Sequence, residues 1–386
     1  MSKTLPEKWQ LREAESIYER LRIPVVFDKT SVKPTGKYKV IDQSADGHIG
    51  FIDEEIFPCD KEHPITTFAN HTCAVRKMIH PFGVIQNVFP LRPKPDIDAH
   101  YLYQILRDAI PQTAYKGHYP ELRDTQFLIP PLKEQQKIAE ILTSVDEVIE
   151  NTQSQINKLE DLKKATMNEL LTKGIGHTEF KDTEIGRIPK VWRVANFESL
   201  VTFSALGTVE RGNSETSVPL VKMGNLQSGV VTDPTEFVSK SKLTEENYVS
   251  KGDFLFNTRN TPELVGKVAN YNLNYQSAYD NNLLKINFNE TVSSWYMGLL
   301  FNQSCLINRL KRLVAGTTSV AAIYWSDLRK LKISVPKTEE QSLIVSVLHS
   351  IQSRLDDSNE SIRKFRYLKQ SLMQDLLTGK VRVSVN

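Results

Sequence analysis

The chain repeats itself. Residues 130–175 align without a gap to residues 336–381, a constant offset of 206 set by Pro130 and Pro336. Self-similarity at a fixed offset constrains the architecture before any local pattern does. Identities open the segment at Pro130/Pro336, Glu134/Glu340, Gln135/Gln341, Ile138/Ile344, Leu142/Leu348 and Ser144/Ser350. Others close it at Ile156/Ile362, Lys158/Lys364, Leu162/Leu368, Lys163/Lys369, Met167/Met373 and Leu170-Leu171-Thr172/Leu376-Leu377-Thr378. The same offset reaches upstream to Leu122-Arg123 and Leu328-Arg329, and a second echo pairs Leu5-Pro6-Glu7-Lys8-Trp9 with Ile188-Pro189-Lys190-Val191-Trp192. The 386 residues therefore form two halves, each a variable region followed by a repeated one.

The repeated region predicts a long helix. Ile138, Leu142, Val145, Ile149, Ile156 and Leu159 step by fours and threes, with Thr152 filling one place, and Ile344, Leu348, Ile351, Leu355, Ile362 and Phe365 reproduce the seam in the second copy. That spacing is the a/d pattern of a coiled coil. No proline interrupts it. Pro130-Pro131 and Pro336 precede the helices, Thr338 and Gln341 have capping-box spacing, and Gly174 and Gly379 stand where C-terminal caps belong. At 1.5 Å per residue, about 40 residues make a helix roughly 60 Å long. So narrow an apolar seam needs a partner, and matched seams in two copies favour an intramolecular antiparallel coiled coil. A helix laid on a globular core, or pairing with another chain, is the alternative.

The variable regions have another texture. Short apolar runs such as Tyr38 to Ile41, Val84 to Phe89, Val218 to Val221, Phe254 to Phe256 and Leu283 to Phe288 are divided by Gly, Asn, Asp and Pro, as in strands with turns. Helical stretches appear around Ile97 to Ala109 and Val292 to Leu313. The expected fold class is α+β: domain 1 over residues 1–129, helix 1 over 130–175, a linker over 176–187, domain 2 over 188–335, helix 2 over 336–378 and a tail over 379–386. The two helices would form the antiparallel pair.

Composition narrows the function classes. Lys plus Arg number 49 and Asp plus Glu 46, a formal charge of +3, which excludes a histone-like binder while leaving room for a basic face. Cys59, Cys73 and Cys305 are odd in number and form no C-x-x-C pair, so a disulfide framework and a zinc ribbon are disfavoured and a reducing cytoplasm fits best. The N-terminus lacks the apolar stretch of a signal peptide, and no uncharged apolar run reaches the ~18 residues of a membrane span. A phosphate loop, H-E-x-x-H, G-x-S-x-G and G-x-G-x-x-G are all missing, as is the Asn/Asp-Pro-Pro-aromatic signature that holds a flipped adenine. The eight histidines show no ligand spacing, and no catalytic or metal site is expected.

What remains is binding chemistry on loops. In Phe254-Leu255-Phe256-Asn257-Thr258-Arg259-Asn260 a buried strand runs into a polar tip, and Arg can fork to guanine and Asn to adenine in the major groove. Thr317, Thr318 and Ser319 follow Gly316 and the basic run Asn308 to Arg312, a hydroxyl-rich loop suited to phosphates or bases. In the first half, Lys116, His118 and Tyr119 within Tyr115-Lys116-Gly117-His118-Tyr119 occupy the corresponding place, since Tyr119 aligns with Trp325. His71, Arg76 and Lys77 form a further polar and basic group. Each group is equally consistent with a surface turn.

These features resemble the specificity subunit of type I restriction-modification systems, over essentially the whole chain. The resemblance rests on Ile129-Pro130-Pro131-Leu132-Lys133-Glu134-Gln135-Gln136-Lys137-Ile138-Ala139 and on the helix ends Leu170 to Gly174 and Leu376 to Lys380. Gly252 to Arg259, Leu264-Val265-Gly266-Lys267-Val268 and Gly316-Thr317-Thr318 are similar to the common form of that family's target recognition domain, and Pro64 to Lys77 with Tyr115 to Leu122 resemble another variant. The first half shows no clear sequence counterpart of Gly252 to Asn257, and Val335-Pro336-Lys337-Thr338 departs from the Ile-Pro-Pro-Leu of the first copy. The resemblance implies two recognition domains at opposite ends of the helix pair, related by a pseudo-twofold axis, each reading half of a bipartite site in double-stranded DNA, with the helices as a ruler. It also implies methyltransferase subunits, two in number, as partners that bind S-adenosylmethionine, and restriction or translocase subunits as further partners. This chain would bind no cofactor and carry no active site. A coiled-coil scaffold without sequence-specific DNA binding, or a self-sufficient nuclease or methyltransferase, is the competing reading.

Overall fold

The structure, a computed structural model, describes residues 6–107, 109–111, 116–212, 214–316 and 320–385. It divides into two compact units, Met1–Gln155 with Ser358–Asn386, and Ile156–Asp357. The two long helices run over Leu132–Lys173 and Thr338–Leu376, and each gives one part to each unit. Both start two residues after the aligned prolines, because the Pro131 carbonyl accepts the amides of Glu134 and Gln135 and so opens the first turn.

In the first unit, Ile65–Ala69 is a strand buried along its whole length, rich in the β-branched and aromatic residues that a covered sheet takes. It pairs antiparallel with Val75–Met78 on one side and Val88–Pro93 on the other. Gln10–Glu13 pairs with Gln126–Ile129 and brings the end of the domain beside its start. The core gathers Trp9, Phe68, Tyr101, Leu102, Ile138 and Leu142 with Leu376. Asp146 meets Lys369 and Gln153 meets Arg366, so the two helices run antiparallel within this unit.

The second unit repeats the plan. Phe254–Asn257, again buried throughout, pairs antiparallel with Val268–Asn270 and Leu283–Phe288, and Arg193–Asn196 pairs with Lys332–Val335 as the closing ribbon. Leu171 shares a core with Ile344 and Leu348, Lys163 bonds Gln352, and Ile175 bonds Glu340, so the helices are antiparallel here too. Of the predicted seam, Ile138, Leu142, Ile156, Ile344, Leu348, Ile351, Leu355 and Ile362 are buried, while Val145, Ile149, Leu159 and Phe365 are half-buried.

The repeat identities are explained at the helix starts. Gln135 donates to the carbonyls of Pro130 and Asp96 and accepts from the Asp98 amide. Gln341 does the same with Pro336, Thr291 and Ser293. Glu134 accepts from Trp9 Nε1 at 3.1 Å and from Arg382 Nε at 2.7 Å. Glu340 accepts from Trp192 Nε1 at 3.0 Å and faces His177 Nε2 at 2.8 Å. Each unit thus ties the start of one long helix to the residues just past the end of the other, through a glutamate and a tryptophan. The glycines belong to this joint. Gly174 has φ +66, and a Cβ there would lie 2.3 Å from Glu340 Oε1; Gly379 has φ +67, and a Cβ would lie 2.5 Å from Pro6.

One expectation needs correction. The segment over 176–187, read as a linker from its glycines and polar residues, supplies most of a hairpin, Phe180–Thr183 with Gly186–Pro189, closed by Thr183 Oγ1 on the Gly186 carbonyl. The tail over 379–386 is tied down, with Arg382 bound to Glu134 and Val383 packed on the first core.

Candidate nucleic-acid interface

The buried strands Ile65–Ala69 and Phe254–Asn257 have the same neighbours in the same antiparallel sense, so topology supplies the counterpart that the first half's sequence lacks. Ala69 opposes Val88 as Asn257 opposes Leu283. The residues that follow, Asn70-His71-Thr72 and Thr258-Arg259-Asn260, are therefore equivalent tips. Both are tied to the segment ahead of the long helix: the Asn70 carbonyl accepts His118 N, and the Thr258 carbonyl accepts Ile323 N.

In the second unit the tip is built by Asn257, which is fully buried. Its Nδ2 donates to the Leu264 carbonyl, its Oδ1 accepts the Arg259 amide, and its backbone pairs with Gly266 and Lys267. Asn257 was expected as a DNA contact; the structure gives it the work of folding the loop. Thr258 likewise donates to the Asn282 carbonyl. That fold leaves Arg259 exposed on a short ribbon against Ala322 and sets Asn260, Leu264 and Lys267 along a groove of about 770 Å³, whose other side carries Lys222, Gln227 and Ser228. Ser228 (φ +53) and Gly229 (φ +83) form the two-residue turn of an exposed hairpin there. Thr317, Thr318 and Ser319 lie outside the described residues.

In the first unit, Arg76 and Lys77 are adjacent on the strand Val75–Met78 and line one cleft. Arg76, expected to touch DNA, is spent inside the fold: Nε donates to the Ser44 carbonyl, Nη1 to the Gly47 carbonyl at 2.7 Å, and Nη2 to Asp42 Oδ1 at 2.8 Å. It pins the loop over 42–47. Burial by itself would raise the Asp42 carboxyl, but hydrogen bonds from Ser44 and Arg76 outweigh it and hold the group below the usual carboxylate range. His118 is also expected at DNA and is instead wholly buried, with Nδ1 2.9 Å from Glu121 Oε2. Tyr119 packs on Phe89 and lies with it under Arg20. Lys116 is exposed and paired with Glu121, and His71 is half-buried at the tip beside Gln43. Lys77 shares a cleft of about 640 Å³ with Lys39 and Lys61, opposite Glu147 and Glu150 of the first long helix.

Residues 6–161 and 209–364 both match the family described as type I restriction modification DNA specificity domain. The chain belongs to this family. It is 26% identical over 421 residues to a protein of Methanocaldococcus jannaschii assigned as the MjaX type I restriction enzyme specificity subunit, covering 98% of this chain and 95% of that one. It is 27% identical over 264 residues to the MjaVIII specificity subunit of the same organism, covering 66% and 62%. The fold matches the type I restriction-modification S subunit from M. genitalium with a TM-score of 0.62, at 14% identity, over 100% of this chain and 98% of that one. The chain is thus a DNA specificity subunit with two tandem recognition domains, a non-catalytic component of its system.

Lys222, Gln227 and Lys267 of this specificity subunit line the groove and were not singled out from the sequence. Lys267 sits in the Leu264 to Val268 motif, and the pairing of Phe256 with Val268 and the Asn257 bonds bring it to the groove beside Asn260. Gln227 and Lys222 come from a region without a motif, marked only by turn residues such as Gly224-Asn225 and Ser228-Gly229.

Proposed function

We propose that each recognition domain of this specificity subunit reads one half of a bipartite site in double-stranded DNA, and that the paired helices set the distance between the halves. The observation that carries this reading is that one joint, a glutamate, a tryptophan and a glutamine at each helix start, is built twice around two different recognition domains. Identical frames with different tips suit two unlike half-sites held in fixed register. Arg259, Asn260 and Lys267 in one domain, and His71, Lys77 and Lys116 in the other, offer groups for base edges and phosphates.

Two methyltransferase subunits dock on the helices, bind S-adenosylmethionine themselves and flip the adenine that they modify. Restriction or translocase subunits join the same assembly. The compartment is the cytoplasm of a prokaryotic cell, where the DNA lies. Among the described residues, no helix is long and apolar enough to cross a membrane.

The test is adenine methylation mapped across the genome in cells that express this subunit with its methyltransferase partner, against cells lacking only this chain. A bipartite motif that vanishes with the chain is the expected result. Unchanged methylation with an active partner present overturns the reading and favours a scaffold.

A further inference from the structure

Positions 146 and 352 are repeat-related, yet their surroundings differ. Asp146, on the first long helix, accepts from Gln104 Nε2 at 3.0 Å, from Arg107 Nη1 at 2.9 Å and from Lys369 Nζ of the second long helix. Gln104 lies on the recognition-domain helix Ala99–Leu106, and Arg107 follows it. One carboxylate therefore joins the recognition domain to both long helices. The joint is sheltered: Gln104 is fully buried, and the Lys369 side chain is 6% exposed.

In the second unit, Gln352 accepts from Lys163 Nζ at 2.6 Å and donates to Asp356 on its own helix, and among the described residues no recognition-domain side chain bonds it. There the recognition-domain helix Ser294–Phe301 meets the long helix through Trp295, whose ring stands edge-on to His349 at 5.3 Å. Ring contacts are forgiving in angle, whereas a carboxylate with three donors has few acceptable poses.

We infer that Asp146 is a positioning residue for half-site spacing: it fixes the tilt of the first recognition domain on the helix pair, and position 352 does no such thing for the second. The inference rests on the bipartite reading above. A domain about 30 Å across moves its far side by one base-pair rise, about 3.4 Å, on a tilt of only about 7°. The cleft beside Asp146, with Lys39, Lys61 and Lys77 on the domain wall and Glu147 and Glu150 on the helix wall, leaves room for such a tilt.

The experiment measures affinity of the full chain with its methyltransferase partner for duplexes with both half-sites fixed and the spacer native, or one or two base pairs longer or shorter. Asp146→Asn should lower the preference for the native spacer by about fivefold or more, the usual scale of coupling between two sites. Base preference within each half-site should stay as in the parent. Because Asp146→Asn strands a sheltered lysine, Asp146→Asn with Lys369→Met is measured beside it, and Gln352→Leu serves as the control in the second unit. A parent-like spacer profile in both Asp146 variants, an equal loss at every spacer, or the same broadening in Gln352→Leu overturns the inference. A parent complex indifferent to spacer overturns the bipartite reading itself, which separates the two failures.

Discussion

Glu134→Ala probes the joint on which the repeated architecture depends. The substitution removes the acceptor of Trp9 Nε1 and of two Arg382 bonds. The indole is buried, Trp9 being 4% exposed, and orphaning a buried donor costs about 1–3 kcal/mol. Arg382 has a side chain 43% exposed, so water replaces its partner and it adds little. The loss of about 1–3 kcal/mol at the indole corresponds to a fall in Tm of roughly 2–12 °C at 2–4 °C per kcal/mol for units of this size. Scanning calorimetry of the full chain reads it, in the transition of the first unit. Trp9→Phe removes the donor without leaving an orphan, so adding it to Glu134→Ala should recover about 1–2 kcal/mol relative to the sum of the single changes. A Tm shift below about 2 °C, or strict additivity, refutes the assignment of the repeat identities to this joint.

Arg259→Ala should alter recognition at one half-site only, with a loss of about 1–3 kcal/mol, roughly 5- to 150-fold, in competition binding against single-base variants; an equal loss for all sequences instead marks a phosphate contact. Inserting one heptad into both long helices lengthens them by about 10 Å, or about three base pairs, and methylation mapping should show the spacer changed by that order; an unchanged spacer ends the ruler model. Burial and the neighbouring Lys163 hold His349 below the usual imidazole range, so the folded state disfavours its protonated form. Its contribution is then whole above the usual 6.5 and is lost as the pH falls from there through the folded value. Urea denaturation at pH 7.5 and 5.5 should show this loss in the parent and less of it in His349→Gln, and an equal loss in both refutes the attribution.

The helices and their ends were legible because the same joint is made twice and each copy needs the same chemistry. Glu134 and Glu340 must accept an indole N–H, Gln135 and Gln341 must close the first turn, and Gly174 and Gly379 must leave room for the opposing chain. The contact residues were less legible, since a polar residue near a tip serves either DNA or the loop itself. Arg76 and Lys77 are neighbours in sequence and line the same cleft, yet the Arg76 guanidinium is taken up by the carbonyls of 44 and 47 and by Asp42. His118 follows a glycine in a polar run and is nonetheless buried. Asn257 looked like the first residue of the tip, but the strand includes it, and its amide is consumed in shaping the loop.

Division of labour follows from where the bonds fall. In each unit the joint binds helix start to helix end and the closing ribbon binds domain start to domain end, while the tip hangs from a strand buried on both faces. A change at Arg259 or His71 falls at a tip, whereas the joint's bonds are made at the helix starts. The loop-shaping residues, Asn257 just before its tip and Arg76 on the strand after the other, are the ones whose loss would spread, since each holds several backbone groups at once. On the bipartite reading proposed above, substitutions at an exposed tip residue such as Arg259 would change a half-site at small cost to stability, and the frame would stay as it is.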